Sequence, residues 1–109
     1  DESLLDACKK YGCAVALKSS ATRISDGSKI VYQTRGSPAL ARAGSGDILA
    51  GLAGSLIANK SHGFENAALE AGICASAWLG LAAENAAAKL GETALATSDI
   101  IKYLPAALR

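Results

Sequence analysis

Apolar positions change period several times along the chain, and each change marks a predicted element. Leu4, Leu5, Ala7 and Cys8, with charged residues opposite, predict a short amphipathic helix over residues 3–11, closed by Gly12. Residues 13–17, Cys-Ala-Val-Ala-Leu, form an unbroken apolar run of the kind expected of a strand buried on both faces of a parallel sheet. Two β-rich segments, 22–24 and 29–33, flank Ser25-Asp26-Gly27-Ser28, and Asp-Gly in that setting predicts an antiparallel hairpin. Residues 34–43, with Gly36 and Pro38, predict an irregular loop. From there the period becomes helical: Ile48, Leu52 and Leu56 recur every fourth residue and predict a helix over 46–59.

A second helix is predicted over 64–90, rich in alanine and ended by Gly91, and a third over 100–104, limited or kinked by Pro105. Thr97, Ser98 and Asp99 supply candidate N-caps for the last. Glycines inside a helix cost about 1 kcal/mol each against alanine, so Gly51 and Gly54 predict a backbone packed close to their helix. Gly72 and Gly80 offer the same or a bend. One buried strand and a hairpin cannot cover so many helices. Residues 1–109 therefore read as the C-terminal part of a larger α/β domain.

Composition narrows the classes. Half of the 109 residues are apolar and the net charge is +1, which fits one globular unit. Lys and Arg are scattered rather than striped, so neither nucleic acid nor an anionic membrane is an expected partner. Cys8, Cys13 and Cys74 lack C-x-x-C spacing, as expected of thiols in a reducing cytoplasm. The stretch 67–83 is interrupted by Glu70 and is too rich in Ala, Gly and Ser for a spanning helix of about 20 strongly apolar residues. His62, the single histidine, reads as a helix-end residue, Trp78 as core and Lys9-Lys10 as a solvated helix end. Glu65, Glu70 and Glu84 share no metal-ligand spacing.

Chemistry concentrates in residues 43–51, AGSGDILAG. A helix starting at a glycine turn presents unpaired N–H groups and its positive dipole end, which together attract anions. Gly44 and Gly46 leave those amides open and Ser45 adds a hydroxyl. The dinucleotide fingerprint fails because Leu49 stands where its last glycine belongs, and the Gly-Lys of a Walker loop is missing. Asp47 is out of place beside a phosphate unless a reacting hydroxyl lies between them, where it would take the proton while the amides stabilise a transferring phosphoryl group. Spacing alone leaves a simpler role open, Asp47 as a first-turn helix carboxylate and the glycines as a turn.

The segments ALARAGSGDILAGLAGSLIA and TSDIIKYLPAAL, with the Ala- and Gly-rich helix between them, resemble the C-terminal part of the NAD(P)H-hydrate dehydratase family, carbohydrate kinase-like enzymes of the ribokinase-like superfamily. The likeness runs over essentially the whole chain, which is less than half of such a catalytic domain. It implies a three-layer α/β/α fold with a central, mostly parallel sheet. It also implies removal of water from hydrated NADH or NADPH, driven by ADP or ATP, through phosphorylation of the hydroxyl and phosphate elimination; Mg2+ is the expected companion of the nucleotide in phosphoryl transfer. Asp47 would be the catalytic base and contact the substrate. Gly44, Ser45 and Gly46 would form the anion hole for nucleotide phosphate.

The family's Lys-Gly-x-x-Thr is matched by Lys18, Ser19, Ser20, Ala21 and Thr22, with Ser19 in place of glycine, so these residues would contact the adenine nucleotide. Residues 36–43 depart from Gly-Asn-Pro-x-Met-Ala-Thr-Gly, and Ser76-Ala77 replaces a His-Gly pair. The expected partners are the rest of the domain or another copy of the chain in a homo-oligomer. Alternatives are a ribokinase-like kinase of a small molecule, and an inactive module that binds nucleotide or a partner subunit.

Overall fold

A computed structural model describes residues 1–109 except 19–20, 42–43, 60–62 and 109. Ser19, Ser20, Arg42 and His62 thus lie outside the described residues. The chain runs α1 (Glu2–Tyr11), β1 (Val15–Leu17), β2 (Thr22–Ser25), β3 (Ile30–Gln33), a 3₁₀ turn (Pro38–Leu40), α2 (Ser45–Ala58), α3 (Ala67–Leu90) and α4 (Thr97–Ala107). It is an α/β chain in which long helices pack beside a small sheet.

The hairpin forms as the Asp-Gly signal predicts, with Thr22 opposite Gln33 and Ser25 opposite Ile30. Gly27 takes a φ of 102°, a left-handed conformation that glycine adopts without steric cost. The apolar run at 13–17 behaves differently from its sequence expectation. β1 pairs antiparallel with β2, Val15 opposite Ser25 and Leu17 opposite Arg23, at the edge of a three-stranded sheet of order β1-β2-β3. Leu17 is 38% exposed, so within this chain the strand is not buried on both faces. An apolar run specifies a strand that can be buried; which neighbours bury it is a property of the whole sheet.

Asp26 fastens the hairpin to α3. Its Oδ1 accepts from the Ser28 amide at 3.0 Å and the Ser28 hydroxyl at 2.8 Å, and its Oδ2 accepts from Asn66 Nδ2 at 2.9 Å. Asn66 in turn is the N-cap of α3, its Oδ1 accepting the Leu69 amide. The Ser28 hydrogen bonds hold the Asp26 carboxyl at about 2, below its ordinary 3.8. A depressed carboxylate stabilises the fold above its unfolded value and ceases to do so as pH falls through the folded value. The melting-temperature gap between the wild type and Asp26→Asn is therefore expected to be widest above pH 3.8 and to close as pH falls towards about 2. A gap independent of pH across that window would contradict the assignment.

The main core lies where α2, α3, α4 and the 3₁₀ turn meet, around Ala39, Leu79, Ala82, Ala83, Ala86, Leu95 and Ile100. Ile48, Leu49 and Leu52 of α2 pack against it. Alanines at 71, 75, 82, 83 and 86 of α3 are fully buried, so small side chains bring the neighbouring elements close to the helix axis. Trp78, half-buried on α3, donates its indole N–H to the Leu104 carbonyl at 2.7 Å. That bond supplies a partner to α4 next to Pro105, which lies inside the helix instead of limiting it. Thr97 and Ser98 also lie inside α4; the N-cap is Ala96, whose amide donates to Asp99 Oδ2 at 2.8 Å. A side chain reaching back one turn does the work expected of a Thr or Ser cap.

The helix glycines divide differently from expectation. A Cβ at Gly51 or Gly54 would meet nothing within 4 Å, because both stand on the exposed side of α2. The close approaches are on α3, where a Cβ at Gly72 would lie 3.3 Å from Ile24 Cγ2 and one at Gly80 only 2.4 Å from the Arg35 carbonyl oxygen. Among the described residues no helix is long and apolar enough to cross a membrane. Cys8, Cys13 and Cys74 are free thiols, and the buried Cys8 Sγ donates to the Ser25 carbonyl.

Candidate functional site

α2 begins one residue earlier than the periodicity predicts, directly after Gly44. Gly44 has φ 93°, ψ −15°, and its carbonyl accepts the Ile48 amide at 3.2 Å. Any other residue would be strained in that left-handed geometry. Ser45, 2% exposed, donates its hydroxyl to the Leu40 carbonyl at 2.7 Å and thereby ties the helix start to the 3₁₀ turn.

Lys18, one residue past β1, crosses to the same point. Its ammonium lies 3.5 Å from Ser45 Oγ and 3.1 Å from where a Cβ on Gly46 would stand. The bare Gly46 thus admits a cation to the helix N-terminus, in the space that sequence reasoning reserved for a phosphate. An ammonium and a helix dipole of like sign repel one another until an anion joins them.

Beyond Ser45 opens a cleft of about 840 Å³, within the range of about 300–1,000 Å³ typical of small-ligand sites. Lys18, Thr22 and Ser45 line it together with residues 33–38, from the end of β3 to the start of the 3₁₀ turn, and with Ser76 and Leu79 of α3. Among these lining residues stand two cations, Lys18 and Arg35, and no carboxylate. Gly44, Gly46 and Asp47 are not among them; Asp47 is exposed on the first turn of α2. Ala21 is half-buried beside Thr22. Lys18, Thr22, Ser45 and Gly46, drawn from two separate segments, therefore meet at one place.

The wall at 33–38 holds residues that sequence reasoning missed. Gln33 Oε1 accepts the Arg35 amide, while its Nε2 donates to the Arg35 carbonyl at 2.9 Å and to the Ser76 carbonyl at 3.2 Å. Glu84 Oε2 accepts from the Gly36 amide at 3.0 Å and from Arg35 Nε at 2.9 Å. In the sequence Glu84 offers only a carboxylate without metal-ligand spacing, and Gln33 only the end of a strand. No periodicity marks a polar side chain whose partners come from a helix some 40–50 residues on.

Among the described residues no three His, Cys, Asp or Glu side chains converge as a metal site. The donor set does not fit a Mg2+ held by protein ligands alone.

Comparison with known proteins places the chain in a family. The family model described as NAD(P)H-hydrate dehydratase matches residues 2–106. The chain is similar to a bifunctional NAD(P)H-hydrate repair enzyme of Pyrobaculum aerophilum, 37% identical over 98 residues that make up 90% of this chain and 18% of that protein. It is also similar to an ADP-dependent (S)-NAD(P)H-hydrate dehydratase of Cenarchaeum symbiosum, 29% identical over 93% of this chain and 33% of that protein. Thus it spans about a fifth to a third of the length of these relatives. Among solved structures, a hydroxyethylthiazole kinase from Pyrococcus horikoshii OT3 superposes with a TM-score of 0.77 at 24% identity, over 94% of this chain and 39% of that one. That likeness is one of fold.

Proposed function

We propose, since this chain belongs to the NAD(P)H-hydrate dehydratase family, that residues 1–109 form the C-terminal part of a ribokinase-like catalytic domain and that the complete enzyme dehydrates hydrated NADH or NADPH at the expense of ADP or ATP. In this reading the sheet continues, through segments outside these residues, into the mostly parallel sheet of a three-layer domain. The observation that carries the reading is the meeting of Lys18, Ser45 and Gly46 at the start of α2, beside a cleft whose described lining residues include the cations Lys18 and Arg35 and no carboxylate.

The bound nucleotide supplies the phosphoryl group. The amides of residues 44–47 and the Lys18 ammonium take up charge on that group as its bond to the nucleotide breaks and its bond to the substrate hydroxyl oxygen forms. Asp47 accepts the hydroxyl proton. Phosphate then departs with the oxygen and the electron pair of the C–O bond, a proton is lost from the ring, and the reduced nicotinamide is restored. Thr22, at the start of β2, contacts the adenine nucleotide, and the resemblance gives Ser19, Ser20 and Ala21 the same role. Mg2+ would be held chiefly by phosphate oxygens.

The complete polypeptide, given hydrated NADH or NADPH with either ADP or ATP, is expected to restore the absorbance of the reduced nicotinamide and to release one phosphate per turnover. Absorbance unchanged with both nucleotides contradicts the reading. A stable phosphorylated product instead identifies a kinase.

A further inference from the structure

Arg35 is held more firmly than a loop residue needs to be. Gln33 engages its amide and its carbonyl, and the side-chain-free face of Gly80 receives that carbonyl, so the peptide is fixed from both sides. Its side chain is fixed as well, because Glu84 takes Nε. The pair contributes little to stability: Arg35 is 55% exposed, and ion pairs in such settings are worth about 0–1 kcal/mol.

What the pairing does is orient. A guanidinium carries five N–H donors in a rigid plane, and a carboxylate on Nε leaves donors on the terminal nitrogens for another acceptor. Among the described residues Arg35 and Lys18 are the cations that line the cleft, and Glu84 is not in its lining.

We propose that Arg35 is a ligand-binding residue of this cleft, donating from its terminal nitrogens to a nucleotide phosphate, and that Glu84 is the positioning residue that aims it. The proposal rests on the nucleotide-dependent reading above and adds a phosphate contact outside the AGSGD and Lys-x-x-x-Thr segments. Lys18 meets the phosphate as a point charge at the helix start; Arg35 meets it from the loop after β3 with a planar fork.

Calorimetric titration of the complete polypeptide with ADP and, separately, with adenosine tests it. Arg35→Gln is expected to weaken ADP about ten- to a hundredfold, the loss of one charge-assisted contact, and to leave adenosine within about twofold. The salt dependence of ADP binding should flatten in the same variant. Arg35→Lys keeps the charge without the fork and should fall between. Glu84→Gln, which can still accept the Gly36 amide, should shift the ratio of ADP to adenosine affinity in the same direction by a smaller factor. Equal losses for ADP and adenosine would make Arg35 a structural residue of the wall and overturn the proposal, as would an unchanged ADP affinity. Failure of the wild type to bind either ADP or ATP defeats the functional reading itself, an outcome distinct from either.

Discussion

Asp47→Asn is expected to lower the rate of dehydration by about a hundredfold to ten-thousandfold while ADP binding and thermal stability stay near those of the wild type. The size follows from general-base catalysis, which contributes rate factors of about 10²–10⁴. An amide of the same shape cannot accept the hydroxyl proton. Stability is insulated from the change because Asp47 is exposed and sits in the first turn of α2. There a carboxylate gains about 0.3–1 kcal/mol from the helix dipole, and an asparagine retains part of its polarity. Nucleotide affinity is insulated because Asp47 does not line the cleft that holds Lys18 and Arg35. Single-turnover rates and ADP titrations on one preparation separate the effects. Turnover unchanged by the substitution would return Asp47 to the simpler role of a helix-start carboxylate.

The second large effect is structural. Gly80→Ala should destabilise the protein by about 1–3 kcal/mol, the usual cost of overpacking, even though alanine ordinarily gains about 1 kcal/mol over glycine in a helix. The added Cβ would stand 2.4 Å from the Arg35 carbonyl oxygen and 2.6 Å from its carbon. Backbone cannot rotate out of the way as a long side chain can, and Gln33 and Glu84 tie this backbone in place. Movement of the wall should therefore accompany the loss of stability and weaken ADP binding too. Gly51→Ala is the control: with nothing within 4 Å of the new methyl, helix propensity decides and the melting temperature should rise. Chemical denaturation of both variants measures the opposite signs, and a stable Gly80→Ala would mean that the wall yields at little cost.

These two positions show how far the sequence could be read. The start of α2 was legible because its chemistry is local: a glycine turn, a serine and a carboxylate in the first turn of a helix are set by neighbours in the chain, and Gly44 indeed takes a left-handed φ. The hairpin at Asp26-Gly27 was legible for the same reason. The glycine readings went astray at Gly51 and Gly54, because a missing side chain says that a neighbour can approach and not that one does. Pro105 lies inside α4, and Trp78 of α3 donates to the Leu104 carbonyl beside it across 26 residues of sequence, a tertiary contact that no local pattern marks.

Periodicity and turn chemistry by themselves determined the helices, the hairpin and the segment that starts α2, since each depends on residues within a few positions of one another. Tertiary structure alone decided that β1 pairs antiparallel with β2, that Lys18 reaches over Gly46, and that Gln33, Gly80 and Glu84 fix Arg35 in the wall of the cleft. Those contacts join residues separated by up to about fifty positions, and only the packing of the alanine-lined face of α3 against the sheet and its following loop brings them within hydrogen-bonding distance.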